Sequence, residues 1–187
     1  MLVWLNGPHG VGGSSTAAAL RALVPGTRAV ELPRVARRLG RVVDRLPRRF
    51  VPDVATLPPA SVSAARAALV GACVLAHTAP PHREDRLVVV AATVLDPDRL
   101  DTLLDDLRTR LDVLHVTLHA SAPELARRIT RDAGNPSARA RRLARIPAYE
   151  RVAPALAGHG PVISTDRRSV EEVAAVVAAL VARRREG

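Results

Sequence analysis

The chain has 187 residues, a formal net charge of +10 and 48% apolar residues, which suits one well-packed domain and excludes a largely disordered chain. All 28 of its basic residues are arginine. A single cysteine excludes a disulfide framework or a cysteine zinc site within one chain, and an aromatic content of 2% disfavours base stacking with single-stranded nucleic acid.

Short apolar runs, typical of buried strands, alternate along the chain with segments of helical periodicity. Strands are predicted at residues 2–5, 28–32, 87–92, 114–118 and 162–163. Helices are predicted at 14–23, 33–46, 60–76, 122–131 and 170–184, and a further helix begins at Asp96-Pro97 with an apolar stripe to Leu111. Asp96 is its expected cap. This alternation predicts an α/β fold with a parallel sheet and helices on both faces, in a single domain over 1–187.

One segment, residues 133–160, breaks this pattern, and we call it the lid segment. It is interrupted by Pro147 and Pro154 and contains four closely spaced arginines, Arg139, Arg141, Arg142 and Arg145. A basic segment with such interruptions predicts a mobile helical flap more than a part of the core.

The stretch GPHGVGGSST, residues 7–16, follows the first predicted strand directly. It fits the phosphate-binding frame G-x-x-x-x-G-K-[ST] at Gly7, Gly12 and Ser14, but Gly13 stands where the frame has lysine. Glycines let backbone N–H groups point at phosphates, the following helix adds its positive end, and the hydroxyl holds Mg²⁺. The predicted site comprises Gly7, Gly10, Gly12, Gly13, Ser14, Ser15 and Thr16, with Ser14 reaching Mg²⁺ through a nucleotide.

The absent lysine leaves this site without its main cation. Losing one preorganised charge costs a rate factor on the order of 10²–10³. An arginine from elsewhere would supply the charge instead, as arginine fingers do, and the candidates are Arg127, Arg128, Arg131 and the arginines of the lid segment. The alternative for each is an ordinary solvated helix face.

The opening MLVWLNGPHGVGGSSTAAAL resembles the start of the tunicamycin-resistance-type proteins, which are small P-loop kinases. Three later stretches, VVVAATVLDPDRLDTLL, VLHVTLHASAPELARRI and VISTDRRSVEEVAAVV, are similar to later motifs of that family in the same order. The resemblance covers nearly the whole chain. It implies a five-stranded parallel sheet, ATP or GTP with Mg²⁺, and phosphoryl transfer to a small molecule, in some members as antibiotic resistance.

A kinase of this type needs an acid near the acceptor hydroxyl. The resemblance places one at Asp53, where a D-F-Q-D type segment keeps a single acid. Glu31 is the second candidate because it ends a predicted strand, and ligands of open parallel sheets gather at that edge. For both, a surface carboxylate paired with an arginine remains the alternative.

Three functions stay open at this stage. The first is a small-molecule phosphotransferase, and the second is a degenerate P-loop protein that binds a nucleotide or another anion without catalysis and acts through a partner. The third is a nucleic-acid-associated protein, which the charge favours and the few aromatics oppose. No apolar run reaches the ~18 residues of a membrane helix, so we expect a cytoplasmic protein with a nucleotide and a small molecule as partners. The oligomeric state is open.

Overall fold

The computed structural model describes residues 1–31, 87–132 and 138–186, together with Gly71. Five strands form one sheet whose neighbours are all parallel. They are β1 (Leu2–Asn6), β2 (Arg28–Glu31), β3 (Val88–Ala92), β4 (Val113–His119) and β5 (Val162–Ser164), in the order β2-β3-β1-β4-β5. The predicted α/β fold with a five-stranded parallel sheet is confirmed.

The central strand, β1, is buried on both faces. Leu2, Val3, Trp4 and Leu5 are all at most 1% exposed, although successive side chains of a strand point to opposite faces. Both faces of the sheet are therefore covered, as parallel sheets require, and the continuous apolar run that predicted this strand follows from that burial.

Six helices are described in full: α1 (Gly13–Leu23), α2 (Pro97–Arg108), α3 (Ala122–Arg131), α4 (Arg139–Leu143), α5 (Ile146–Ala157) and α6 (Val170–Glu186). α1 packs against α6, and α2 packs against β4 and α5. The Asp96 cap of α2 is confirmed, since Asp96 Oδ1 accepts from Arg99 N at 3.3 Å. Predicted helix 33–46 lies outside the described residues, as does 60–76 except for Gly71, which is helical.

The lid segment divides into two unlike parts. α4 has no buried residue, but α5 buries Ile146, Tyr149 and Leu156. α5 therefore packs against the core through one face, on which its apolar side chains recur despite Pro154, and a lid role for the segment stays a prediction. No described helix is long and apolar enough to cross a membrane.

A buried histidine lies in the sheet behind α5. His115 in β4 is 2% exposed, and neither ring nitrogen has a hydrogen-bond partner within the described part of the chain. Its ring meets that of His159 edge-on at 6.2 Å between centroids. Burial lowers the pKa of His115 from 6.5 to about 4. The backbone of His159 opposes this shift, and the charges of His159 and Arg108 add to it.

Because of this buried histidine, we expect the folded protein to lose stability in acid. Because the pKa is depressed in the folded protein, the unfolded chain binds more protons between pH 6.5 and 4, and the free energy of unfolding falls as the pH is lowered through that range. The expected loss is up to about 3 kcal/mol. Denaturant unfolding of the wild type and His115→Phe across this range checks it, because the variant removes the titrating group. Equal pH slopes in both proteins would contradict the assignment.

Candidate phosphate-binding site

The glycine loop, residues 7–12, joins the end of β1 to the start of α1 and is packed tightly at two points. A Cβ on Gly7 would lie 2.6 Å from Leu118 O, and one on Gly10 would lie 2.9 Å from Ile129 Cγ1. Both glycines also have positive φ, 152° and 86°, which other residues rarely adopt. The loop is therefore shaped by close approach to the end of β4 and to α3.

The N-terminus of α1 follows this loop, and within the described residues its first backbone N–H groups have no hydrogen-bond partner. The first helical hydrogen bond runs from Thr16 N to Gly12 O at 2.8 Å, so the N–H groups of Gly13, Ser14 and Ser15 precede the helical bonding pattern. The N-cap, Gly12, makes no side-chain cap, and the first turn contains no acid. Such an end attracts an anion through its free N–H groups and its positive dipole end.

Three other helix N-termini contrast with this open end, because an acidic side chain occupies each. Asp96 caps α2, and both carboxylate oxygens of Asp166 accept from Ser121 N at the start of α3, at 3.1 Å. At α6, Glu172 Oε2 accepts from Ser169 N at 2.7 Å. The positive end of α1 is thus available where those three are neutralised, and α4 and α5 likewise begin without an acid in the first turn.

The three hydroxyl residues at this end are not equivalent. Ser14 and Ser15 are exposed, whereas Thr16 is buried at 2% exposure. Ser14 therefore fits the predicted magnesium contact better than Thr16 does. Within the described residues no group of three His, Cys, Asp or Glu side chains is arranged to hold a metal.

Gly13 is the exception among the loop glycines. It begins α1, and among the described residues a Cβ built on it would meet only Ala91 Cβ, at 3.5 Å, which is ordinary contact. Neither backbone conformation nor space requires glycine there. The absence of lysine is therefore a chemical difference that the surrounding fold does not impose.

Arg128 is engaged with the protein itself. Its Nε donates to Glu124 Oε1 at 2.6 Å, and Nη2 donates to Thr165 O at 2.8 Å. Nη1 donates to Thr165 Oγ1 at 2.9 Å and to Val11 O at 3.3 Å. The predicted phosphate-binding arginine thus lies beside the loop, and its contact with the loop is a hydrogen bond to the carbonyl oxygen of Val11.

The other arginines of α3 differ from it. Arg127 donates twice to Glu124, at 2.7 and 2.5 Å, and Arg131 is exposed at the end of the helix. The hydrogen bond from Arg127, with that from Arg128, lowers the pKa of Glu124 to about 2. Arg127 is therefore a surface partner of Glu124, while a phosphate role for Arg131 stays a prediction.

Arginines of the lid segment act on the glycine loop electrostatically. Burial lowers the pKa of His9, and the charges of Arg142, Arg145 and Arg141 lower it further. Arg142 also donates to Asp132 Oδ2 at 2.6 Å, which fastens α4 to the end of α3. The structure thus brings positive charge from the lid segment towards the loop that lacks lysine.

The two predicted acids have different outcomes. Glu31 ends β2, where its register partner is Ala91 of β3, so its backbone lies at the sheet edge that holds the glycine loop. Asp53 lies outside the described residues. A catalytic role for either stays a prediction.

Sequence reasoning missed two polar residues that hold this edge of the sheet together. Asn6 pairs with Val94, donating to its carbonyl and accepting from its N–H, both at 2.9 Å. Thr165 is buried at 3% exposure and receives two donors from Arg128. Asn6 ends β1 and Thr165 directly follows β5, and a polar residue at the end of a buried strand is a signal that the sequence does contain. Their hydrogen-bond partners could not be predicted because those are distant in sequence.

A five-stranded parallel sheet in the order β2-β3-β1-β4-β5, with a glycine loop and an open helix end after the central strand, defines a P-loop kinase-type fold. Solved structures agree. The chain is similar to the tunicamycin resistance protein of Deinococcus radiodurans, with 24% identity, a TM-score of 0.62, and 96% of this chain and 94% of that chain covered.

Two kinases are similar over comparable lengths. Shikimate kinase from Bacteroides thetaiotaomicron has 16% identity and a TM-score of 0.65, covering 97% of this chain and 98% of that chain. A gluconokinase from Sinorhizobium meliloti has 17% identity and a TM-score of 0.59, covering 97% and 91%. No protein-family model and no curated protein matches the chain. The predicted resemblance to small P-loop kinases is confirmed at the level of the fold.

Proposed function

We propose that this protein is a kinase-like P-loop enzyme that transfers a phosphoryl group from ATP or GTP, with Mg²⁺, to a small hydroxyl-bearing molecule such as an antibiotic or a nucleoside. The observation that carries the proposal is the open N-terminus of α1 behind a glycine loop shaped by close contacts. A phosphate group satisfies both the free N–H groups and the helix dipole. The similarity to structures named as shikimate kinase and gluconokinase supports a small-molecule acceptor.

In this proposal different residues bind the phosphates, hold Mg²⁺ and supply positive charge. The N–H groups of Gly13, Ser14 and Ser15 would hold the phosphates, and the Ser14 hydroxyl would hold Mg²⁺, which would supply charge that neutralises the phosphates. The lid-segment arginines, with Arg131, supply the positive charge that Gly13 lacks. The charges of Arg142, Arg145 and Arg141 already act on His9 in the loop.

The transfer step needs a group that orients the acceptor, and we assign this to Asp53 or Glu31. The carboxylate accepts the hydroxyl proton as the acceptor oxygen bonds to the γ-phosphorus. The bond from that phosphorus to the bridging oxygen breaks, and the nucleoside diphosphate leaves. The phosphate-holding residues act by positioning and by charge.

The presence of glycine at position 13, where the phosphate-binding frame has lysine, favours a second candidate function. A loop that keeps its backbone donors but lacks the lysine still binds an anion, so the protein would bind a nucleotide or another anion without turnover and act through a partner. The two candidates differ in one observable. Only the first releases nucleoside diphosphate in proportion to phosphorylated acceptor.

The discriminating experiment measures diphosphate release and acceptor phosphorylation with a panel of hydroxylated antibiotics, nucleosides and sugar acids. Ser14→Ala is expected to lower Mg²⁺-dependent turnover about tenfold or more, while Ser14→Thr retains it because the hydroxyl is kept. The exposed position of Ser14 leaves the melting temperature of both variants unchanged. Nucleotide binding without turnover on any acceptor would favour the second candidate, and equal turnover in both variants would remove the role of Ser14.

A further inference from the structure

Arg128 joins three separate parts of the molecule beside the glycine loop. From α3 it reaches Val11 O in the loop and both oxygens of Thr165 after β5, and Glu124 holds its Nε. The Arg128 side chain is 24% exposed. A guanidinium held at three of its nitrogens by fixed acceptors has one orientation, since its donors form a planar fork.

The bond to Val11 O fixes the direction of the next N–H group. In a trans peptide the carbonyl and the following N–H point in opposite directions. While Val11 O faces Arg128, at 3.3 Å from Nη1, the N–H of Gly12 therefore faces the opposite side of that peptide plane. Gly12 N–H directly precedes the open donors of α1.

Gly12 has φ of 96°. Thr16 N donates to Gly12 O at 2.8 Å and Val11 N donates to Pro8 O at 3.3 Å, but neither bond involves the carbonyl of Val11 or the N–H of Gly12. Since glycine populates positive and negative φ about equally, the backbone of Gly12 permits both orientations of the Val11–Gly12 peptide. In the rotated orientation a carbonyl oxygen would replace the Gly12 N–H and repel a phosphate.

We propose that Arg128 is a positioning residue that holds the Val11–Gly12 peptide with its N–H towards the phosphate site. This inference rests on the proposed function, because the orientation of the Gly12 N–H matters only if the glycine loop binds phosphate. Thr165 and Glu124 fix the guanidinium that fixes the peptide. In this proposal Arg128 acts on phosphate binding through the peptide, whereas the sequence-based prediction has it contact the phosphates directly.

The test compares Arg128→Gln with Arg127→Gln. Both remove one positive charge from adjacent positions of α3, but Arg127 donates to Glu124 and to no loop atom. Two readouts are used: the amide ¹⁵N–¹H resonance of Gly12 without ligand, and the affinity for inorganic pyrophosphate at fixed ionic strength. We expect Arg128→Gln to shift or broaden the Gly12 resonance and to weaken pyrophosphate binding about tenfold or more, while Arg127→Gln changes neither.

The outcomes separate this inference from the proposed function. A wild-type Gly12 resonance in folded Arg128→Gln overturns the positioning role, as does equal weakening of pyrophosphate binding in both variants. If the wild type binds no pyrophosphate, the proposed function fails, and the resonance alone decides the positioning role. Should Arg128→Gln not fold, Thr165→Val removes one acceptor of the same guanidinium, and a partial shift of the Gly12 resonance is expected, with no shift overturning the proposal.

Discussion

Gly13→Lys is expected to raise the turnover of this protein by a factor on the order of 10²–10³, the amount that one preorganised charge contributes to phosphoryl transfer. The surrounding fold accepts the change, because in the part of the chain that the structure describes an added Cβ meets only Ala91 Cβ at 3.5 Å and the residue begins a helix. The lysine would extend towards the β- and γ-phosphates held at the N-terminus of α1. Steady-state diphosphate release under identical ionic conditions measures the gain.

Gly13→Met is the matched control for this gain. It adds a side chain of similar length at the same helical position without the charge, and both variants gain from the loss of glycine flexibility, by about 0.5–1 kcal/mol of unfolding free energy. Only the lysine variant should gain turnover. Equal rates in the two variants would contradict a phosphate site at this helix end, and so would a lysine variant no faster than the wild type.

Gly7→Ala is expected to lower the free energy of unfolding by about 3 kcal/mol or more. The new Cβ would lie 2.6 Å from Leu118 O and 3.0 Å from Val11 Cγ1, and one of these contacts is with backbone that cannot move without disturbing β4. The φ of 152° adds strain. Urea unfolding followed by circular dichroism measures the change.

The control for this loss is Gly26→Ala. Gly26 also has positive φ, 78°, but a Cβ there would meet no atom within 4 Å. That variant should lose only the cost of the left-handed conformation, about 1 kcal/mol. Equal losses in the two variants would show that close packing of the glycine loop against β4 does not contribute to stability.

The order of elements could be predicted from the sequence because its signals are local. The run Leu2–Asn6 is continuous in apolar character up to its last residue because a central parallel strand is buried on both faces. The glycine loop was visible because close approach and positive φ restrict those positions to glycine. The helix at α3 has the predicted limits, Ala122 and Arg131, since Pro123 and Asp132 mark its ends.

The roles of individual arginines could not be predicted, because they depend on contacts distant in sequence. Arg127 and Arg128 are adjacent and identical in type, yet only Arg128 reaches Val11 and Thr165. Adjacent residues of a helix point in different directions, so only one of these two arginines faces the glycine loop and the residue that follows β5. The burial of α5 was missed for a related reason: the arginines and prolines of the lid segment drew attention, while the three buried side chains of α5, Ile146, Tyr149 and Leu156, are spread along the helix.

Whether the loop before α1 binds a nucleotide's phosphates is decided by calorimetric titration of the unmodified protein with ATP and GTP, with and without Mg²⁺, at fixed low salt. We expect saturable binding that Mg²⁺ strengthens. The complete absence of binding to either nucleotide at millimolar concentration would contradict it, and the glycine loop would then be a structural turn without a phosphate ligand.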